Sequence, residues 1–544
     1  MIYGQEAMKT IKEQCDVLII GAGAAGLRAA CAAAEMGVSV RVVSEGACAS
    51  PEIMGFNAVV ETEDSAECFY QDLYAAGCEI SDVSLARTLA EGSRKEISFL
   101  ERLGLDFDRK RDGSYHTLHT LGCTYPRLVH IGAVTGSRAM AKMKSFCREQ
   151  GVEFQENVRI TDLVLCERSV AGAVGICMET ESFIEYGCKA VVLATGGAGA
   201  LHRITTYPAS CAGDGYMLAF RAGAELIDME FQQFEPCSFV YPKALQGKIV
   251  PTTLLRSGAK LLNGLGEEFM ERYGLTRENA RKGALSKAIA AEIQRGSCTP
   301  HGGVYYDMTM LPAELIIEGH SIFYKPAKAA GLDITKVPAE MAPAGHTYLG
   351  GVRIDAAGAT SVPGLFAAGE VTGGVHGADR IGGCAGAETL VFGRLAGETA
   401  GKYASGCTDR RPLSTEVLKK EYEELSRRKT GVSVAELRGR MEEVMTQYVG
   451  ILRDEEGLNT ALERIRQISG ELGNAFGGEE GTAGLYRLRN MVLLAEIQIQ
   501  ASLLRQESRG VFSRTDFPKQ DDKNWKKNLV FWQKNGEILH REQA

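Results

Sequence analysis

The sequence predicts an α/β protein: a Rossmann-like domain, interrupted by an inserted α+β domain and followed by a helical domain. Three observations lead to this prediction: a strand, glycine turn, helix and strand near the start, a change of pattern after residue 235, and helical periodicity after residue 404. The expected boundaries are 1–235 and 346–404 for the Rossmann-like domain, 236–345 for the insertion, 405–506 for the helical domain and 507–544 for the tail.

The first strand–turn–helix unit carries the strongest local pattern. An apolar run leads into a glycine turn, made of Gly21, Ala22, Gly23, Ala24, Ala25 and Gly26. In such a unit the glycines allow a tight turn, a close approach to a pyrophosphate and close packing of helix on strand. The pattern therefore predicts a nucleotide site. Ser44 or Glu45, at the end of the next strand, would hold the ribose, and the sequence does not choose between them.

Two later segments complete the predicted nucleotide site. A second apolar strand ends in another glycine turn, comprising Ala194, Thr195, Gly196 and Gly197. Asp214 opens a further helix, and Glu370 ends a short buried strand. Because ligands bind beyond the carboxyl ends of the strands in open α/β sheets, these pieces are expected to meet around one ligand.

Composition excludes several classes of function. The 544 residues carry a formal charge of −8, which gives no basic surface for nucleic acid. The apolar runs are strand-sized, so no membrane insertion is expected, and the N-terminus does not resemble a signal peptide. The fifteen cysteines contain no Cys-x-x-Cys pair. We therefore expect a cytoplasmic protein with reduced thiols, without an iron–sulfur cluster or other metal site in this chain.

The C-terminal third is predicted to be helical. Apolar residues recur with helical spacing in residues 413–428, 434–452 and 485–504. The tail, residues 507–544, is rich in charge and contains both tryptophans. We expect this tail to lie along the surface.

Several motifs together resemble the flavoprotein subunits of fumarate reductase and succinate dehydrogenase, a family that also includes L-aspartate oxidase. The matching segments are GAGAAG from Gly21, ATGGAG from Ala194, AGDG from Ala212, MEFQQFEP from Met229, HTYLGGV from His346, LFAAGEVTGGVHGADRIGG from Leu365 and ESRG from Glu507. The resemblance implies FAD bound by the glycine turns, Asp214 and Glu370, under a capping domain at 236–345. It also implies that a helix begins after Gly383, contains Ala385, and points its N-terminus at the flavin, so that Gly383 and Ala385 are expected to contact the cofactor. Residues 48–57, where some relatives attach FAD to histidine, contain no histidine, so FAD is expected to be non-covalent.

The resemblance also assigns roles in catalysis. His346 and Arg380 match the residues that bind substrate carboxylates, and Thr252 matches a hydroxyl ligand. Arg256 matches the arginine of a proton relay. Lys282 aligns with the arginine that donates the proton, although a shift of one residue would place Arg281 there. Arginine suits carboxylate binding because its planar fork can bind both oxygens.

Three exchanges set this chain apart from the family pattern. Glu235 replaces a substrate-binding histidine, Thr253 replaces the relay glutamate, and Lys282 replaces the donor arginine. Since Glu235 would repel one carboxylate of fumarate or succinate, a monocarboxylate or a conjugated carbonyl compound fits better. Glu235 could instead bind an ammonium or hydroxyl group, or act as an acid or base.

Three functions follow from these residues. The first is reduction of an activated double bond, with Lys282 or Glu235 as proton donor. The second is a dehydrogenase or oxidase of an amino acid or amine, with Glu235 on the ammonium group. The third is an electron-transfer flavoprotein subunit of a larger complex. The electron donor would be a separate iron–sulfur protein, reduced flavin or a nicotinamide.

Overall fold

A parallel sheet forms the centre of the protein. The structure is a computed structural model that describes residues 10–277 and 282–543. The sheet contains, in spatial order, the strands Leu365–Ala367, Ala190–Leu193, Val17–Ile20, Val40–Val43 and Glu153–Gln155. All neighbouring pairs run parallel, and their buried residues are mostly Val, Ile, Leu and Ala, as expected for a sheet covered on both faces. The α/β fold class is confirmed.

Two helices pack closely against each other beside this sheet. The alanine-rich helix Ala24–Ala34 lies against the long helix Cys384–Gly406. A Cβ atom at Gly397 would lie 2.3 Å from the carbonyl oxygen of Ala29, and one at Gly393 would lie 2.7 Å from that of Ala25. The glycines therefore allow the two helix backbones to approach closely.

Smaller sheets surround the central one. One contains the strands Thr10–Gln14, Phe183–Gly187, Ser169–Cys177 and Val158–Cys166. Another contains Phe56–Asn57, Leu128–Val129 and Thr117–Leu118. The helices Ala66–Ala76, Val83–Arg102, Thr135–Glu149 and Asp214–Arg221 complete this part. Together these elements cover the parallel sheet.

A second buried apolar cluster lies between Cys237 and Met341. It is built on an antiparallel sheet of the strands Gln232–Phe239, Ala339–Tyr348, Val304–Asp307 and Lys260–Leu262. Its helices are Lys282–Gln294, Ala313–Ile317 and Ser321–Ala329. A separate apolar core supports the proposal of a capping domain at 236–345.

The C-terminal part contains more structure than its sequence indicates. Its helices are Glu416–Ser426, Val434–Tyr448, Glu455–Glu471, Gly481–Leu504 and Asp522–Trp525. The helix Glu455–Glu471 was not among the predicted ones. Strands Leu452–Arg453 and Ser513–Arg514 pair with each other.

The prediction that the tail lies along the surface is wrong for its buried segments, although residues 515–527 and 533–543 are exposed or half-buried. Strands Asn528–Lys534 and Glu537–Gln543 form a hairpin that joins a sheet with Leu226–Ile227, Gly351–Arg353 and Thr372–Gly373. Leu529, Val530 and Phe531 are fully buried, because this apolar run pairs with a strand of the main body. Within the ranges described above, no helix combines the length and apolar character needed to cross a membrane.

Candidate active site and cofactor cavity

A cavity opens where the strands of the parallel sheet end. It encloses about 980 Å³ of empty space, including some open solvent. Most of the predicted cofactor residues line it: Gly21, Ala22, Gly23, Ala24, Ala25, Ser44, Glu45, Ala194, Thr195, Gly196, Asp214 and Glu370. The structure therefore brings together turns that are up to about 350 residues apart in sequence, as expected for an open α/β sheet.

The remaining predicted cofactor residues support the cavity wall or lie beyond it. Gly26 packs behind the first turn, where a Cβ atom would lie 1.9 Å from the carbonyl oxygen of Gly21. At Gly197 a Cβ atom would lie 2.1 Å from Oε1 of Glu370. Gly383 caps the helix Cys384–Gly406 with a left-handed backbone, and Ala385 lies in its first turn.

The helix Ala24–Ala34 begins at the cavity, with Gly23 as its N-cap. The backbone N–H of Ala24 donates a hydrogen bond of 3.0 Å to the hydroxyl of Ser50, which also lines the cavity. Free N–H groups and the helix dipole make such an N-terminus suitable for a pyrophosphate. Sequence reasoning did not identify Ser50, because the segment 48–57 was considered only for the histidine that attaches FAD in some relatives.

At one end of the cavity, Glu45 and Asp214 meet a cluster of buried arginines. Arg159 donates hydrogen bonds to both carboxylate oxygens of Glu45, at 2.8 and 3.1 Å. Burial acts to raise the pKa of Glu45, but Arg159 and Arg487 outweigh it and hold this pKa below its usual value. Burial is likewise outweighed at Asp214 by Arg487 and Arg159, so that its pKa is also lowered. Both carboxylates are therefore ionised at neutral pH.

Glu370 lies between this end and the substrate residues. The Tyr207 hydroxyl donates a hydrogen bond of 2.6 Å to Oε2 of Glu370, and the backbone N–H of Tyr348 donates one of 3.0 Å to Oε1. Burial raises the pKa of Glu370 to about 7, although these hydrogen bonds oppose the shift. Glu370 can therefore exist in either protonation state near neutral pH.

The predicted carboxylate-binding residues lie close together. Arg380 is held by three hydrogen bonds, from Nε to Oε1 of Gln233 at 3.1 Å, and from its terminal nitrogens to Ile381 O at 3.2 Å and Thr347 Oγ1 at 3.4 Å. His346 Nδ1 lies 2.7 Å from the hydroxyl of Thr206. Burial lowers the pKa of His346 well below its usual value, and the charges of Arg380 and Lys282 act in the same direction. The imidazole is therefore neutral.

Glu235 and Lys282 form an ion pair on the capping side of this group. Glu235 is on the strand Gln232–Phe239 and pairs in register with Ala344, two residues from His346. Nζ of Lys282 lies 2.5 Å from Oε2 of Glu235. The carboxylate side chain is 2% exposed, whereas the lysine side chain is 62% exposed. The alternative donor, Arg281, lies outside the described residues.

The predicted substrate ligand Thr252 and the predicted relay residue Arg256 lie on one turn of the proposed capping domain, together with Thr253. Thr252 and Thr253 belong to the short helix Thr252–Leu255, and Arg256 ends it. The turn is anchored by the buried side chains of Leu254 and Leu255. The described hydrogen bonds do not connect Thr252 to His346 or Arg380, and the roles of Thr252 and Arg256 stay predictions.

Comparison with protein families identifies two matching models. The FAD binding domain model matches residues 16–385, and the fumarate reductase flavoprotein C-terminal model matches residues 438–542. All residues that line the cavity except Thr389 lie within the first of these matches. Its glycine turns, its helix N-terminus and its carboxylates suit the pyrophosphate and ribose of FAD.

Individual relatives resemble the chain over nearly its whole length. One subunit of the fumarate reductase (CoM/CoB) of Methanothermobacter marburgensis is 36% identical, over 95% of this chain and 97% of that protein. L-Aspartate oxidase of Pseudomonas aeruginosa is 30% identical, over 93% of this chain and 96% of that protein. The structure of Mycobacterium smegmatis Sdh1 in complex with UQ1 superposes with a TM-score of 0.89 at 33% identity, covering 98% of this chain and 95% of that one.

Proposed function

Because the chain belongs to the family of flavoproteins with an FAD binding domain and a fumarate reductase flavoprotein C-terminal domain, we propose that it reduces carbon–carbon double bonds that a carboxylate or carbonyl group activates. The observation that carries this proposal is the grouping of Arg380, neutral His346 and the Glu235–Lys282 pair next to the FAD cavity. When bound, FAD supplies the exchange of a hydride at its N5 atom. FAD is proposed to be non-covalent, since residues 48–57 contain no histidine.

Arg380 is proposed to bind a substrate carboxylate. Its guanidinium is fixed by Gln233, whose amide in turn donates a hydrogen bond of 2.6 Å to Asp379. A positioned guanidinium can bind two oxygens in the plane of its fork. His346 would add a neutral hydrogen bond, since its pKa keeps the ring uncharged. Together the two residues would orient the activating group and withdraw electron density from the double bond.

Lys282 is proposed to hold the proton for the second alkene carbon at its Nζ atom. The position is suitable because the ammonium is fixed by Glu235 at 2.5 Å while much of the side chain faces solvent. The lysine can therefore exchange protons with water between turnovers. A positioned general acid of this kind contributes roughly 10² to 10⁴ in rate.

The charges favour a substrate with one carboxylate. Among Arg380, His346, Glu235 and Lys282, the two cations contribute two positive charges, Glu235 cancels one, and His346 is neutral. The one positive charge that remains therefore matches the single negative charge of a monocarboxylate such as a 2-enoate. A dicarboxylate such as fumarate would place its second carboxylate near the buried Glu235.

A second candidate is oxidation of an amino acid, which two observations favour. The buried anion Glu235 could bind an ammonium group, and L-aspartate oxidase is among the relatives. In this case Lys282 would leave Glu235 when the substrate enters.

The electron source is proposed to be a separate protein or a reduced nucleotide. The support is that the fumarate reductase relative is named as one subunit of its enzyme, which implies at least one further chain beside it. A cytoplasmic location is proposed from the cysteines, since all fifteen are free thiols.

The decisive experiment is anaerobic. The holoprotein is photoreduced with EDTA as the electron donor and mixed with 2-enoates, enones and fumarate, and the return of oxidised flavin absorption is followed. We expect 2-enoates to react faster than fumarate. Absence of reaction with every alkene, together with reduction of the oxidised enzyme by L-aspartate, would replace the reductase proposal by the second candidate.

A Glu235→Gln variant tests the charge argument. Removing the negative charge is expected to raise the rate with fumarate relative to a 2-enoate by at least about tenfold. Glu340→Gln is a matched control, because Glu340 lies on the neighbouring strand and pairs with His301 at 2.8 Å. An unchanged ratio in Glu235→Gln would show that Glu235 does not face the substrate.

A further inference from the structure

We propose that Arg487 is a positioning residue that makes the protein select FAD over flavins without an adenosine. Arg487 belongs to the helix Gly481–Leu504 of the C-terminal part, outside the matched FAD binding domain. It acts by holding Glu45 and Asp214, which line the cavity, in the orientation that accepts the ribose and adenine end of FAD.

Arg487 joins the two carboxylates. Its Nε and one terminal nitrogen donate to Oδ2 of Asp214, at 3.1 and 2.9 Å. The same terminal nitrogen also donates to Oε2 of Glu45. The Arg487 side chain is only 9% exposed, so its charge is shielded from solvent and acts mainly on these two groups.

The carboxylates keep open sides toward the cavity. The side chains of Glu45 and Asp214 are 22% and 13% exposed, and both residues line the empty space. A carboxylate accepts about four hydrogen bonds. Glu45 and Asp214 each accept three from Arg159, Arg487 or Asn490, so each retains about one acceptor position for a ribose hydroxyl or an adenine amino group. Arg487 does not line the cavity, whereas Arg159 does, so of the two arginines only Arg487 holds the carboxylates from outside the empty space.

The location identifies which end of FAD lies here. Glu45 follows the strand Val40–Val43, the second strand of the glycine-turn unit, where the ribose of a bound nucleotide is held. The same helix contributes Asn490, whose amide donates a hydrogen bond of 2.7 Å to Oδ1 of Asp214. Two residues of one C-terminal helix therefore hold the wall of the adenosine end.

Without Arg487, the two carboxylates would face each other and the FAD pyrophosphate with one fewer positive charge. They would repel one another, and they would turn toward Arg159 or solvent. Binding of the adenosine half would weaken, whereas binding of the isoalloxazine and ribityl phosphate, which FMN shares, would not depend on this contact.

The test compares Arg487→Met with Arg489→Met. Arg489 lies two residues further along the same helix, and its guanidinium pairs with Glu421 on the outside. FAD is removed from each protein, and dissociation constants for FAD, ADP and FMN are measured. In Arg487→Met we expect FAD and ADP to bind about ten- to a hundredfold more weakly and FMN to change less than about threefold. Arg489→Met is expected to bind all three ligands as the parent does.

Two results would overturn the proposal: unchanged FAD and ADP affinities in Arg487→Met, or an equal loss of FAD and FMN affinity, which would indicate a general loss of structure. If the methionine variant does not fold, Arg487→Lys replaces it. Lysine keeps the charge but cannot bridge both carboxylates with a planar fork, so an intermediate loss for FAD and ADP alone is expected. Parent-like FAD and ADP binding by the lysine variant would also overturn the proposal.

Discussion

The two ends of the active-site region are built in different ways. At the end proposed to hold the adenosine of FAD, here called the adenosine end, Glu45 and Asp214 pair with buried arginines whose side chains are at most 9% exposed. At the substrate end, a buried carboxylate, Glu235, pairs with a lysine that is 62% exposed. The first end is closed by rigid elements from both halves of the chain. The second end is open toward solvent on its capping side.

This difference indicates at which end residues can be exchanged while the fold is kept. The adenosine end depends on backbone contacts and on ion pairs that are costly to break when buried. The substrate end depends on a few side chains, of which Glu235, Thr253 and Lys282 already differ from the family pattern. The protein can therefore keep FAD while the substrate changes.

The largest expected effect tests the backbone contacts of the FAD end. In Gly26→Ala the new Cβ would lie 1.9 Å from the carbonyl oxygen of Gly21, which the helix cannot relieve without moving the turn. We expect FAD binding to weaken at least about a hundredfold and the melting temperature to fall by several degrees. FAD content after gel filtration and thermal unfolding measure both effects.

Gly470→Ala is the control for this prediction. Gly470 lies in the helix Glu455–Glu471, and a Cβ atom there would meet nothing within 4 Å. Alanine favours the helix, so stability is expected to stay equal or to rise by up to about 1 kcal/mol. Parent-like FAD binding in Gly26→Ala would mean that the turn adapts more freely than its packing indicates.

A smaller effect, confined to turnover, tests the substrate end. Lys282→Met removes the proposed proton donor, and we expect kcat for alkene reduction to fall about a hundredfold while the FAD dissociation constant is unchanged. Lys328→Met is a matched control, because Lys328 is an exposed capping-domain lysine that pairs with Asp333 at 2.6 Å. Equal kcat values in the parent and Lys282→Met would show that Lys282 is not the proton donor and would leave Arg281 or Glu235 as the candidates.

Local patterns made most of the fold predictable. The glycine turns and buried strands indicated the parallel sheet, since few other sequences place glycine at these spacings after an apolar strand. The tail was mispredicted because its many charged residues indicated a surface position. The short apolar run Leu529–Phe531 was given too little weight, although it is fully buried. Its partner, Leu226–Ile227, is about 300 residues away, and single-sequence patterns contain no information on such pairing.

The site was predictable to the extent that its residues occur in recognisable motifs. The motifs singled out Asp214, which lines the cavity, and His346 and Arg380, which lie close together; their roles stay predictions. Arg159 and Arg487 were missed, because an arginine on a strand or helix is usually a solvated charge and nothing nearby in sequence marks it as buried. The Glu235–Lys282 contact was also not foreseen, although both residues were singled out separately, since they lie 47 positions apart.

The smallest predicted effect concerns Glu370, which lies between the two ends. Burial raises the pKa of Glu370 in the folded protein without FAD to about 7, against a usual value of 4.5. The protonated carboxyl therefore stabilises the fold fully below pH 4.5, and this contribution is lost as the pH rises to about 7. In Glu370→Gln, which cannot ionise, this loss is absent. Between these pH values we expect the melting temperature of the FAD-free parent to fall relative to that of Glu370→Gln, and the difference to level off above pH 7. If the difference between the two melting temperatures does not vary with pH, the pKa of Glu370 is not raised, because its carboxylate contacts water or a positive charge in solution.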